Sequence, residues 1–234
     1  MDAQLLLQSQ QGDKKSIARL ISLIENEAQI DIVPSDRHVP VIGITGPPGA
    51  GKSTLTDALI DEYIKDGKRV AVLCVDPSSV LHQGAILGDR IRMNRWFNHE
   101  KVFIRSLSSR GSMGGLHPQI DKIKFFLQSC PFDLILIETV GVGQSEIEII
   151  KHADKTILVL VPEAGDEIQL MKSGIVEVAD LFVVNKSDRP GSDFFVAQLS
   201  NMLKSKSSSK KVCATVATKG DGVVGLKKMI DDLL

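Results

Sequence analysis

Seven short apolar runs punctuate the chain: VPVIGIT (39–45), RVAVLCVD (69–76), KVFIRSL (101–107), DLILIET (133–139), KTILVLV (155–161), DLFVVNK (180–186) and KVCATVA (211–217). Several are almost uninterrupted in apolar side chains, the pattern of strands covered by helices on both faces rather than strands with one wet face. Between them lie segments with apolar residues at helical spacing, such as STLTDALIDEYIKD and LHPQIDKIKFFLQS, which read as amphipathic helices. Strand and helix alternate, so the predicted fold is α/β, a mostly parallel sheet with helices on both faces and right-handed crossovers. Ahead of the first strand, LLLQSQQGDKKSIARLISLIENE also has helical spacing. It predicts one or two helices packed against the sheet, making residues 1–38 an N-terminal helical segment before an α/β domain over 39–234.

Composition narrows this picture in three places. At 234 residues the chain suits one α/β domain with a sizeable core. Its 28 Lys and Arg nearly balance 29 Asp and Glu, so no global field points to nucleic acid or to an anionic membrane. No apolar run approaches the roughly 18 residues of a membrane span, and MDAQLLLQSQQGDKK lacks the basic start and apolar core of a secretion signal. A cytoplasmic protein is expected. Cys74, Cys130 and Cys213 are odd in number, widely spaced and set among apolar residues, which predicts reduced core thiols rather than a disulfide framework. KSKSSSKK (204–211) is the one low-complexity stretch and reads as a solvated loop.

The candidate chemistry begins where the first strand ends. GPPGAGKST, residues 46–54, fits GxxxxGK[ST] and is followed by a helical pattern, the strand, loop and helix context that a P-loop requires. Gly46, Pro47, Pro48, Gly49, Ala50 and Gly51 form a loop whose backbone N–H groups can curl around an anion. The start of the following helix, with Lys52, Ser53 and Thr54, adds positive dipole. Lys52 is placed to reach terminal phosphates, and Ser53 offers a hydroxyl to Mg²⁺.

A second acidic group is needed beside such a loop, and LILIETVGVGQSE supplies one. Glu138 lies near the end of a buried strand, so its carboxylate emerges at the carboxyl edge of the sheet, where open α/β folds bind ligands. Gly141, three residues on, stands where a backbone N–H can meet a terminal phosphate. NKSD (185–188) then follows another apolar strand. Guanine presents two adjacent donors that one carboxylate accepts together, whereas adenine has an acceptor in that place. Asp188 therefore selects guanine, Asn185 braces the loop, and the Lys186 stem lies over the base. The later loop ATVATKGDG, which includes Ala217, can close over the same base.

Taken together, GPPGAGKST, VDPSS (75–79), ILGDRIRM (86–93), ETVGVGQSE (138–146), AGDEIQLMKSGI (164–175) and NKSD resemble one family over roughly residues 10–230. It is the MeaB/ArgK/MMAA GTPases, chaperones of adenosylcobalamin-dependent methylmalonyl-CoA mutase and its relatives, formerly labelled LAO/AO transport ATPases. The resemblance implies that Asp76 and Asp89 join Ser53 and Glu138 around Mg²⁺, with Asp89 on a first switch. On the residues alone, Asp76 ends a strand expected beside the P-loop strand, and Asp89 also reads as a helix cap. The resemblance further implies a third switch at AGDEIQLMKSG, with Glu163, Asp166, Glu167, Gln169 and Lys172. That stretch equally reads as an ordinary capped amphipathic helix.

The implied reaction is phosphoryl transfer from GTP to water, performed by positioning and charge stabilisation. Many GTPase switches carry Gln after the switch glycine, but Val142 follows Gly141 here, and an apolar side chain cannot orient water. Gln144 is the alternative candidate. Slow intrinsic hydrolysis completed by a client mutase is the expectation. A P-loop kinase, a transport-coupled ATPase and a GTP-binding module without turnover are the rival readings. Members of the family commonly continue past the last helix into a dimerisation arm, whereas this sequence ends at GLKKMIDDLL, so the resemblance leaves a homodimer open.

Overall fold

A computed structural model of the chain describes residues 2–32, 37–76, 93–109, 116–139, 145–162, 175–205 and 210–234. Each of the seven apolar runs is a strand: β1 (Val41–Thr45), β2 (Val70–Asp76), β3 (Val102–Ser108), β4 (Leu134–Thr139), β5 (Lys155–Leu160), β6 (Leu181–Asn185) and β7 (Lys211–Thr215). They form one parallel sheet in the order β3-β2-β4-β1-β5-β6-β7.

The order corrects one expectation. β2 does not neighbour β1, because β4 lies between them, with Ile44 of β1 and Cys74 of β2 both in register with Glu138. The chain leaving β1 skips one strand position before laying down β2 and β3, then returns to fill the gap. This order brings the β4 carboxylate directly beside β1, the strand that leads into the glycine-rich loop.

Six longer helices cover the sheet among the described residues: α1 (Asp2–Gln10), α2 (Lys14–Glu25), α3 (Lys52–Lys65), α4 (Ile120–Gln128), α5 (Ser192–Ser205) and α6 (Val223–Asp231). Strand side chains alternate between the two faces. One set, including Ile42, Ile44, Val72, Leu136, Ile157 and Val159, packs under Leu55, Leu59 and Tyr63 of α3 and Leu226 and Ile230 of α6. The alternate residues Val41, Leu73, Ile135 and Ile137 pack under Ile17, Leu20 and Ile24 of α2 and Ile123, Phe126 and Leu127 of α4. Farther along that face, Leu158, Phe182 and Val184 meet Phe195, Leu199 and Leu203 of α5. Both faces are thus dry, which is why the strand sequences carry so few polar residues.

The leading segment forms two helices, and α2 is part of the core rather than an appendage. Its N-cap, Asp13, accepts from the Ser16 N–H at 2.8 Å and from the Ser16 hydroxyl at 2.6 Å, bonds that hold the Asp13 carboxyl below its usual range. Glu25, at its far end, pairs with Arg105 on β3. All three cysteines are buried thiols, and none is in a disulfide. Residues 206–209 of the low-complexity stretch lie outside the described residues, Lys204 and Ser205 end α5, and Lys211 opens β7. No helix among the described residues is long and apolar enough to cross a membrane.

Candidate nucleotide-binding site

The loop between β1 and α3 is shaped by two glycines that no other residue replaces. Gly46 has φ +140°, and a Cβ there would stand 2.1 Å from the Val159 carbonyl oxygen. Gly51 has φ +90°, and a Cβ there would stand 2.4 Å from Asn185 Nδ2. The left-handed backbone and the close approach of β5 and β6 both demand the absence of a side chain. Pro48 and Gly49 are exposed at the crest of the loop, while Gly46 and Ala50 are buried at its feet.

Lys52 is buried, and its Nζ donates to the carbonyls of Gly46 at 2.7 Å and Pro47 at 3.0 Å. The ammonium therefore lies folded along the loop, holding its charge over the concavity instead of projecting into solvent. Ser53, next on α3, donates to Glu138 Oε1 at 2.6 Å. Thr56, one turn later, lies 2.9 Å from Glu138 Oε2. Glu138 is only 4% exposed. Its two oxygens are thus met by hydroxyls from one helix face, since positions three apart on a helix are neighbours. Thr56 had a signal in the sequence, its i, i+3 relation to Ser53, but a buried strand-end carboxylate had to be placed before that spacing meant anything.

The NKSD segment meets the same loop from the other side. Asn185, 2% exposed, donates from Nδ2 to the Ala50 carbonyl at 2.9 Å and accepts at Oδ1 from Thr215 Oγ1 at 3.2 Å and the Ala217 N–H at 3.1 Å. Lys186, at φ +57°, donates from Nζ to the Gly49 carbonyl at 2.7 Å. A pocket of ≈ 220 Å³ opens between these elements, lined by Gly51, Thr54, Asn185, Lys186, Asp188, Arg189, Val216, Ala217 and Thr218. Ala217 borders it while its N–H is directed to Asn185. Asp188 Oδ2 accepts from Lys219 Nζ at 3.0 Å, a bond that holds the Asp188 carboxyl below its usual range and pushes the Lys219 ammonium up. Lys219 went unremarked in the sequence because its partner lies 31 residues away.

Asp76 ends β2 at the same sheet edge, in register with Ser108 of β3. Its side chain lies outside what the structure describes, as do Asp89, Gly141, Val142, Gln144, Glu163, Asp166, Glu167, Gln169 and Lys172 as whole residues. Where the described chain resumes, Trp96 is buried and donates from Nε1 to Asp57 of α3 at 2.6 Å, and Arg95 grips the same carboxylate at 2.7 and 3.0 Å. Those contacts tie the approach to β3 onto the helix that starts at the phosphate loop.

This arrangement joins a glycine-shaped loop carrying a buried lysine, a buried carboxylate with hydroxyl partners, and a pocket edged by an ion-paired carboxylate along one edge of the sheet. A family model described as Methylmalonyl Co-A mutase-associated GTPase MeaB matches residues 17–234. A Pyrococcus horikoshii protein assigned as a GTPase is 43% identical over 242 aligned positions, covering 98% of this chain and 76% of that one. A fused isobutyryl-CoA mutase of Cupriavidus metallidurans is 39% identical over 190 positions, 77% of this chain and 17% of that larger protein. Among solved structures, a LAO/AO transport system kinase superposes with TM-score 0.74 at 27% identity, covering 99% of this chain and 74% of that one.

Proposed function

Because the chain belongs to the methylmalonyl-CoA mutase-associated family of P-loop GTPases, we propose that it spends GTP to assist an adenosylcobalamin-dependent mutase. The observation that carries the nucleotide reading is the bond from Asn185 Nδ2 to the Ala50 carbonyl. It locks the candidate base pocket to the phosphate loop, so one ligand with a base at one end and phosphates at the other spans both. Asp188, at the pocket rim, accepts the two guanine donors once Lys219 yields its place. The amides of residues 46–54 and Lys52 hold the phosphates, and Lys52 neutralises charge developing on the transferring oxygens.

The Ser53 hydroxyl and the Glu138 carboxylate are hard oxygen donors 2.6 Å apart at the buried foot of the phosphate loop, a donor set that suits Mg²⁺. We assign Ser53 and Glu138, with Asp76 and Asp89, as the residues that hold it, directly or through water. Mg²⁺ held there would offset the negative charge of the phosphates. Glu138 keeps Ser53 oriented toward the phosphate loop, and Gly141 and Gln144 are assigned to the terminal phosphate and the attacking water.

The mutase as client is supported by the match to part of a protein named as a fused isobutyryl-CoA mutase. Single-turnover phosphate release from GTP, with ATP as competitor, tests the nucleotide reading. The expected result is slow GTP turnover unaffected by ATP. Addition of an adenosylcobalamin-dependent acyl-CoA mutase is expected to accelerate it, by about 10³- to 10⁵-fold if the client supplies a charge-stabilising group. Equal competition by ATP overturns the base assignment, and unchanged turnover across a panel of such mutases overturns the client.

A further inference from the structure

We propose that Thr56 is a positioning residue for Glu138, holding one carboxylate oxygen so that the other stays aimed at Ser53 and the metal position. The inference rests on the assignment of Glu138 to Mg²⁺ above and adds to it a residue outside the GxxxxGK[ST] motif.

The geometry assigns the hydroxyl's single proton. Thr56 Oγ1 lies 2.9 Å from Glu138 Oε2 and also 2.9 Å from the Lys52 carbonyl oxygen. A hydroxyl has one hydrogen and two lone pairs, so it can donate to only one of them. The Lys52 carbonyl stands four residues before Thr56 inside α3, where the helix already supplies the Thr56 N–H. The carboxylate is a charged acceptor, and a hydrogen bond to it is about twice as strong as a neutral one. If the proton went to the helix carbonyl, two acceptors would face each other at 2.9 Å in a buried place. It therefore goes to Glu138.

Burial makes the contact matter. Thr56 is fully buried, next to Leu55 and near Leu59 and Ile60 on α3, where a valine would fill the same volume without a polar atom. With hydroxyls on both oxygens, rotation of the Glu138 carboxyl plane is restrained from two successive turns of one helix. Ser53, on the other oxygen, is the partner that would also hold the metal. Thr56, which does not line the base pocket, would keep hold of the carboxylate. Outer donors of this kind commonly set metal affinity without touching the metal.

The test uses the full chain, a fluorescent guanine nucleotide, and titration of Mg²⁺ against binding, with a second series in EDTA. Thr56→Val is expected to raise the Mg²⁺ concentration at half-saturation about 10-fold, to leave nucleotide affinity in EDTA unchanged, and to be rescued by Thr56→Ser. If Thr56→Val does not fold, Thr56→Ala against Thr56→Ser makes the same comparison. A wild-type Mg²⁺ response in Thr56→Val, or equal loss in Thr56→Ser, overturns the proposal, the second outcome showing that the methyl group matters rather than the hydroxyl. Glu138→Ala separates the layers. A shifted Mg²⁺ response there with an unshifted Thr56→Val sinks Thr56 alone, whereas no shift in Glu138→Ala sinks the metal assignment and Thr56 with it.

Discussion

Replacing Asn185 with Ala should destabilise the protein before any nucleotide is added, because the side chain braces three parts of the chain at once. Its amide donates to the Ala50 carbonyl, and its oxygen accepts from the Thr215 hydroxyl and the Ala217 N–H. The truncation leaves three polar groups without that partner, each worth about 1–3 kcal/mol if it stays buried and unpaired. Ala50 and Ala217 sit near a pocket that water can enter, and the Thr215 hydroxyl can rotate, so the low end applies and the sum is about 3 kcal/mol. For a chain of this size each kcal/mol shifts Tm by about 2–4 °C, giving a fall of roughly 6–12 °C. Calorimetry and urea unfolding in nucleotide-free buffer measure it. Asn185→Asp is the informative companion, since it keeps the acceptor but turns a carboxylate oxygen toward the Ala50 carbonyl. The introduced carboxyl should have a raised pKa, so its folded form binds a proton more readily than its unfolded form, and stability should recover as pH falls through that raised pKa. An Asn185→Ala protein with wild-type Tm in the absence of nucleotide refutes the bracing argument.

Three further outcomes follow from the same site. Asp188→Asn should weaken GTP binding and favour a xanthine nucleotide, because an amide can donate to the carbonyl that xanthine carries where guanine has its amino group; competition binding reads it, and retained GTP preference removes Asp188 as selector. Lys219→Ala should raise the Asp188 pKa toward the ordinary carboxylate range, as followed by carboxyl NMR titration, since the Lys219 bond is the main cause of its depression. The pair's contribution to stability is present above the ordinary carboxylate pKa and is lost as pH falls through the lowered one, but both groups are solvent-exposed, so a flat Tm between wild type and Lys219→Ala at neutral pH is expected. Gly46→Ala should lower Tm and abolish nucleotide binding together, as a Cβ 2.1 Å from the Val159 carbonyl forces β1 and β5 apart at the loop; intact binding in that variant would show that the loop has another conformation.

The seven strands were legible because both faces of the sheet are dry, which forces nearly continuous apolar runs that no amphipathic helix produces. The phosphate loop was legible for a different reason, since glycine spacing and a helix start are local features carried within nine residues, Gly46 to Thr54. The helical character of the leading segment was likewise written in its spacing, which left open whether it forms one helix or two. What the spacing did not contain was the strand order. Local pattern says that a strand is buried, not which neighbour buries it, and so Asp76 was expected beside the P-loop strand where Glu138 in fact stands. The contacts that unite the site share that character. Asn185 reaches Ala50 across 135 residues, Thr56 reaches Glu138 across 82, and Lys219 reaches Asp188 across 31. Each is a hydrogen bond whose partner is chosen by packing of helices on the sheet, so residue type announced the capacity to bond and only the tertiary structure decided with what.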